Sequence, residues 1–257
     1  MKQADRRLAA LRVLPLIDLT DLDKNSSPLA VAALSAKAIT PYGPTAAICI
    51  WPHFVETAKS LLHGTGVRIA AAVNFPDGGT DIDGVLADTE KAIADGADEI
   101  DLVLPCRDFV ENGVIISRQM IKSVRKLCGR NNRLKVIIEA GELGNDALIE
   151  AASEVALEEG AHFIKTSSGK AGINATPQAA RIILETIREF RRGAGIKPAG
   201  GIHTLEDARY YLDLADEIMG EGWITPETFR FGASGLLDDV LAALGGNGRS
   251  AAPSVGH

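Results

Sequence analysis

The chain has 257 residues, 46% of them hydrophobic and 24% charged, with a formal net charge of −7. That length allows one large domain or two small ones with a sizeable core, and the balance is that of a soluble globular protein. The negative charge argues against a general binder of nucleic acid or anionic membranes, while leaving room for a small basic site for a phosphate.

Three cysteines, Cys49, Cys106 and Cys128, are odd in number and widely spaced, so neither a disulfide framework nor a zinc knuckle is indicated. The first seven residues run into a short mixed helix without the apolar stretch of a signal peptide. No apolar run reaches the roughly 18–20 residues that span a membrane. The sequons at Asn25 and Asn174 are read as chance matches. A cytoplasmic location is expected.

In chain order, short β-branched or aliphatic runs alternate with longer stretches of helical spacing. Strands are expected at 13–19, 45–51, 68–74, 98–104, 134–139, 162–166, 195–197 and 229–232. Between them lie apolar sets at helical spacing, such as Val85, Ala92 and Ile93, or Ile182, Ile183, Ile187 and Phe190. Thr176-Pro177 and Thr225-Pro226 carry the signature of helix starts, a hydroxyl N-cap followed by proline.

Eight strands alternating with helices imply parallel pairing through right-handed crossovers. About 250 residues in eight units fit a closed (β/α)₈ TIM barrel. An open doubly wound sheet usually carries GxGxxG after a strand, and none occurs. Without an internal linker or composition shift, residues 1–244 read as one α/β barrel domain with a short N-terminal helix. Residues 245–257, beginning Gly-Gly-Asn-Gly-Arg-Ser, read as a mobile tail.

Function in such a barrel sits at the C-terminal ends of the strands. Three ionisable residues stand there among apolar neighbours: Lys165, Lys197 and Asp101. Strand alternation sends Ile164 and Ile196 to the helix layer, and with them the two lysines into the barrel mouth. Ile100, Leu102 and Leu104 likewise form one apolar face, leaving Glu99, Asp101 and Val103 inside. The competing reading is an ion pair between Asp101 and one lysine that only braces the barrel's upper layer.

Two adjacent lysines make chemical sense. An amine attacks a carbonyl only when neutral, yet free lysine has a pKa of about 10.4. A neighbouring ammonium and burial both disfavour charge. Reaching neutrality near pH 7 takes roughly 3 units, or about 4 kcal/mol. Lys165 is assigned as Schiff-base nucleophile and Lys197 as its charged neighbour, although spacing alone does not separate the two. Asp101 would keep Lys197 cationic and help move protons through water.

A phosphate site has separate signals. Gly200-Gly201 follows the seventh strand, and Gly232-Ala-Ser-Gly235 follows the eighth and opens a helix. Loops after strands seven and eight, with a helix N-terminus, form the usual barrel phosphate site. Glycines bring backbone N–H groups close to an anion, Ser234 adds a hydroxyl, and Lys170, after Gly169, adds charge.

Other motifs fail. The end of a P-loop at Lys165-Thr166 would need glycines where Glu159 and Ile164 stand. His53, His63, His162, His203 and His257 lack metal-ligand spacing, so no metal is expected. Cys49 reads as a small packed hydrophobe rather than a nucleophile.

At these residues the sequence resembles the deoxyribose-phosphate aldolase family. The resemblance runs from Leu14-Pro-Leu-Ile-Asp18-Leu-Thr20 to Phe231-Gly-Ala-Ser-Gly-Leu-Leu237. It is carried by Phe163-Ile-Lys165-Thr-Ser-Ser-Gly-Lys170, Lys197-Pro-Ala-Gly-Gly201 and Ala97-Asp-Glu-Ile-Asp101. Thr45-Ala-Ala-Ile-Cys49-Ile-Trp-Pro52 and Asn74-Phe-Pro76 add to it.

The resemblance implies a class I aldolase of deoxynucleoside breakdown, needing no metal or organic cofactor. It would cleave 2-deoxy-D-ribose 5-phosphate to D-glyceraldehyde 3-phosphate and acetaldehyde. It implies the Schiff base at Lys165, the perturbing lysine at Lys197 and the proton-relay acid at Asp101. Asp18, Thr20 and Cys49 would line the substrate pocket, and a homodimer is implied. Gly235 replaces a second serine common in the family, His203 an arginine, and the chain ends in His257 without the terminal tyrosine of some members. The alternatives are a lysine-based aldolase of different acceptor preference and a phosphosugar-binding barrel without turnover.

Overall fold

The computed structural model describes residues 3–190 and 193–245. Eight parallel strands form the wall: β1 (Ile17–Thr20), β2 (Ala47–Ile50), β3 (Arg68–Val73), β4 (Glu99–Val103), β5 (Arg133–Ile137), β6 (Phe163–Lys165), β7 (Gly195–Lys197) and β8 (Phe231–Ala233). They pair in the order β8-β1-β2-β3-β4-β5-β6-β7. Parallel bridges Ile196–Phe229 and Ala199–Gly232 close the circle between the seventh and eighth staves. The expected TIM barrel is therefore formed, with Gln3–Val13 as the short N-terminal helix.

Alternation along each strand builds two separate environments. Ile100, Leu102, Ile164 and Ile196 point to the surrounding helices and are fully buried. Each such side chain removed from water contributes about 1.5–3 kcal/mol. The helices answer with their own apolar stripes. Pro177–Phe190 buries Ile183 and Ile187, and Ile115–Cys128 buries Met120, Ile121 and Val124. The Thr176 hydroxyl caps the first of these, accepting the Ala179 N–H at 3.1 Å. No helix among the described residues is long and apolar enough to cross a membrane.

Two expectations are corrected. The first strand begins at Ile17, not at residue 13, because Leu14–Leu16 forms a 3₁₀ turn continuing the N-terminal helix. Pro15 suits that turn and has no N–H to give a strand ladder. Thr225-Pro226 opens a tight turn rather than a helix, with the Thr228 and Phe229 N–H groups donating to the Thr225 carbonyl at 3.0 and 2.8 Å. Phe229 and Phe231 must enter the fully buried wall at once, which leaves no length for a helix. The expected tail, beyond Gly245, lies outside the described residues.

His162 leads into β6, where its Nδ1 accepts the Leu134 N–H at 2.9 Å. Burial, reinforced by the charges of Arg125 and Arg133, lowers its pKa to about 4. The unfolded chain, with a histidine pKa of about 6.5, takes the proton first as pH falls. Its contribution to stability is thus whole above about pH 6.5 and lost toward pH 4. Urea titrations should show His162→Asn losing less stability than wild type across that window. Parallel curves for the two proteins would remove His162 from the acid response.

Candidate active site

Inside the barrel the inward residues are charged, and the parallel register sets them side by side. Asp101 on β4 lies opposite Lys135 on β5, and Lys165 on β6 opposite Lys197 on β7. The Asp101 carboxylate joins all three lysines. Its Oδ1 accepts from Lys135 Nζ at 2.8 Å, while Oδ2 accepts from Lys197 Nζ at 2.8 Å and Lys165 Nζ at 3.1 Å. Asp18 on β1 sits next to them, its Oδ2 2.6 Å from Lys197 Nζ and its Oδ1 accepting from Arg230 at 2.6 Å. Arg230 also reaches Glu99 at 3.0 Å, and Glu99 pairs in turn with Lys135. These seven residues are at most 1% exposed. The Arg230 guanidinium lies over the Phe163 ring, 5.6 Å from its centroid, which shields its apolar face.

Burial alone would neutralise these groups, but the pairing outweighs it. Burial pushes Asp101 up, yet Lys135, Lys197 and Lys165 together hold it well below the usual carboxylate range. Asp18 is likewise held low, against burial, by Lys197, Arg230 and Lys135. Lys197 is held above the usual lysine range because Asp101 and Asp18 outweigh its burial. The cluster therefore keeps Lys197 cationic and both aspartates ionised.

Above it opens a cavity of about 500 Å³ at the C-terminal end of the barrel. Thr20, Lys165, Gly169, Lys170, Gly200, Gly201, Gly232 and Ser234 lie on its wall. Asp101, Lys197, Asp18 and Cys49 lie below its floor, each fully buried. Asp18 and Cys49, expected to line the pocket, face the barrel interior within this cluster: Asp18 contacts Arg230 and Lys197, and Cys49 Sγ lies 3.6 Å from Asp101 Oδ2. Burial and the Asp101 charge push the Cys49 thiol up, so it remains protonated.

The glycines serve closure as well as the cavity. The Gly232 N–H donates to the Pro198 carbonyl at 2.9 Å, and the Gly200 N–H to the Gly232 carbonyl at 3.4 Å. Those two amides join the seventh and eighth staves, while both glycines remain on the cavity wall. A side chain at Gly232 would put its Cβ 2.7 Å from the Ala199 Cβ, too close to tolerate. Gly201 and Ser234 remain on the wall, the latter just before the helix Leu236–Leu244, whose N-terminus favours negative charge.

Three residues in this region were not anticipated from sequence. Lys135 sits alone in the apolar run Leu134-Lys-Val136, the signal that exposed Lys165, and the same logic would have found it. Arg230, between Phe229 and Phe231, carries that signal too. Glu139 carries it as well, as a carboxylate ending the apolar run Val136-Ile-Ile138. It follows β5 in a left-handed conformation (φ 51°), which costs a non-glycine residue about 1–3 kcal/mol, and both its carboxylate oxygens accept the Ser168 N–H. Among the described residues no group of three or more His, Cys, Asp or Glu side chains is arranged to hold a metal ion.

Lys135 compensates Asp101, Glu99 and Asp18 together, so its loss leaves buried carboxylates short of a cation. Lys135→Met should lower the urea-unfolding free energy by about 3–5 kcal/mol. A change below about 1 kcal/mol would mean the remaining cations suffice.

Comparison with known proteins agrees with this geometry. The model of the DeoC/LacD family aldolases matches residues 12–238. A deoxyribose-phosphate aldolase of Agrobacterium fabrum (strain C58) is 53% identical over 245 residues, covering 95% of this chain and 94% of that protein. A Toxoplasma gondii ME49 structure, provisionally named a deoxyribose-phosphate aldolase, superposes with a TM-score of 0.87 at 28% identity, covering 94% of this chain and 98% of that one. A tetrameric deoxyribose phosphate aldolase from Aeropyrum pernix shares the fold at a TM-score of 0.74 and 21% identity, covering 94% and 96% of the two chains. With its lysine-lined barrel mouth and a family match across nearly the whole barrel, the chain belongs to the DeoC/LacD aldolases.

Proposed function

We propose that this aldolase cleaves 2-deoxy-D-ribose 5-phosphate to D-glyceraldehyde 3-phosphate and acetaldehyde through a Schiff base on Lys165. The observation that carries the reading is the position of Lys165 on the cavity wall, in contact with the carboxylate that also holds Lys197. The named substrate of the Agrobacterium relative supports the choice of sugar phosphate. Degradation of deoxynucleosides is the corresponding physiological direction.

Position within the charged cluster favours Lys165 as the nucleophile. Lys135, Lys165, Lys197 and Arg230 face Asp18, Glu99 and Asp101 in the buried cluster. Lys165 is the cluster member that meets the cavity.

In the reaction, Lys165 Nζ adds to the aldehyde carbon C1 and water leaves, giving an iminium. Loss of the C3 hydroxyl proton then breaks C2–C3, and the electron pair moves into the iminium. Glyceraldehyde 3-phosphate departs and an enamine remains on Lys165. Protonation at C2 and hydrolysis of the new iminium free acetaldehyde. Lys197 supplies a fixed positive charge beside these nitrogen intermediates. Asp101 Oδ2 contacts both lysines, so it links them into one proton path that a water molecule extends to the substrate. Lys170, Gly201, Ser234 and the helix N-terminus would hold the phosphate, and that remote binding energy positions the reacting carbon. The enzyme is expected to work in the cytoplasm as a homodimer, and sedimentation would distinguish this from the tetramer of the Aeropyrum relative.

Borohydride reduction in the presence of deoxyribose 5-phosphate, read by peptide mass spectrometry, tests the mechanism. A stable adduct is expected on the Lys165 peptide and absent in Lys165→Ala. An adduct on Lys197 would exchange the two roles. No adduct, with demonstrated binding of the sugar phosphate, would leave a barrel that binds without turnover. Lys197→Met should lower kcat by at least about 10²-fold, as expected when a preorganised charge is lost from a water-excluded site. An unchanged kcat would deny that role.

A further inference from the structure

Glu139 is a buried carboxylate that the mechanism above does not use. It is 4% exposed and has no ion-pair partner among the described residues. What it does hold is one loop. Its two oxygens accept the Ser168 N–H at 3.1 and 3.2 Å. The Ser168 hydroxyl in turn accepts the Lys170 N–H at 3.0 Å. Glu139 therefore reaches the backbone of Lys170 through Ser168 alone.

The surrounding backbone is shaped to make this contact. Ile138 and Ala140 donate their N–H groups to Lys165 and Thr166 at 3.0 and 2.8 Å, which fixes the segment against the end of β6. The left-handed conformation at Glu139 lies between those two bonds. Two residues on, a side chain at Gly141 would collide with the Ile173 carbonyl, so the far end of the same loop rests directly on the 140–143 turn. Ser168 and Lys170 line both the 500 Å³ cavity and an adjoining one of about 660 Å³, and Glu139 lies on the wall of the second. Its carboxylate thus stands behind the loop, outside the cavity that holds Lys165.

We infer that Glu139 is a positioning residue that holds the Lys170 loop in place for the substrate phosphate and acts on phosphate affinity, not on bond cleavage. The inference rests on the deoxyribose-phosphate reading of this cavity. Losing the charged acceptor frees the loop, so phosphate must bind a wider range of loop conformations and pay for their ordering.

The test compares Glu139→Ala and Glu139→Gln with wild type on deoxyribose 5-phosphate and on unphosphorylated 2-deoxyribose. Inorganic phosphate binding is measured in parallel by calorimetry. The Ala variant should raise KM for the phosphorylated sugar and Kd for phosphate by about tenfold, the size of a lost charge-assisted hydrogen bond. Its kcat on either sugar should change by less than about threefold, well under the tenfold that 1.4 kcal/mol represents. Gln keeps one oxygen acceptor for the Ser168 N–H and should recover part of the affinity. In a Lys170→Ala background, Glu139→Ala should add little, because both act through one loop. Equal losses on both sugars, additive effects with Lys170→Ala, or an unchanged phosphate Kd would each overturn the inference. If wild type fails to cleave deoxyribose 5-phosphate, the proposed function falls, while the phosphate Kd of the variants still decides the role of Glu139.

Discussion

The ionised carboxylate of Asp101 is the constraint around which the barrel interior is organised. Three lysines from three consecutive strands converge on its two oxygens, at 2.8, 2.8 and 3.1 Å. Charges taken out of water carry a desolvation cost of several kcal/mol each, recovered only where partners are close and well aligned. Here the parallel register supplies that alignment. Asp101 pairs across with Lys135 and Lys165 with Lys197, so the closure of the barrel and the pairing of its charges are one event. Asp18, Glu99 and Arg230 extend the cluster downward and leave Lys165 as its uppermost, cavity-facing member.

Such an arrangement separates structural from chemical tasks among like residues. Lys135 touches carboxylates on both sides and belongs to the interior. Lys197 is held cationic by Asp101 and Asp18 and lies under the cavity floor. Lys165 contacts one carboxylate and the cavity, the combination an amine nucleophile needs. Their different surroundings, set by strand and depth, thus give three buried lysines three different jobs. The ion pair that competed with catalysis in the sequence reading is present, and it is the device that would keep the neighbour of Lys165 charged.

The side of the cavity proposed to take the phosphate follows from barrel closure in the same way. The seventh and eighth staves meet through amides of Gly200 and Gly232, and a side chain at Gly232 would force Ala199 away. Closure therefore draws the Gly201 loop, Ser234 and the N-terminus of the last helix together at one rim. The loop carrying Lys170 faces them and is held from behind by Glu139. Binding and bond-breaking groups thus hang on different supports, which is why substitutions at Glu139 and at Lys197 should be separable by kinetics.

Much of this was legible in the chain itself. Eight apolar runs with helical stretches between them dictate a parallel barrel, and alternation at Ile164, Ile196 and Ile100 forces Lys165, Lys197 and Asp101 inward. Pattern was less reliable where a local signal had two outcomes. The apolar run around Pro15 reads as a strand or a turn, and Pro226 suits a helix start and a turn equally; only the neighbouring wall decides between them. The depth of a side chain was also beyond pattern, since alternation gives a face but not a height. Asp18 and Cys49 point inward as expected and yet lie beneath the cavity. By itself the sequence determined the fold and the faces of the residues proposed as catalytic, because strand period and apolar patterning are local. The tertiary structure alone decided who pairs with whom: Lys135 with Asp101, Arg230 with Glu99 and Asp18, Glu139 with the Lys170 loop. Those contacts join residues 29 to 212 positions apart, and their distances depend on register and closure, which no local pattern encodes.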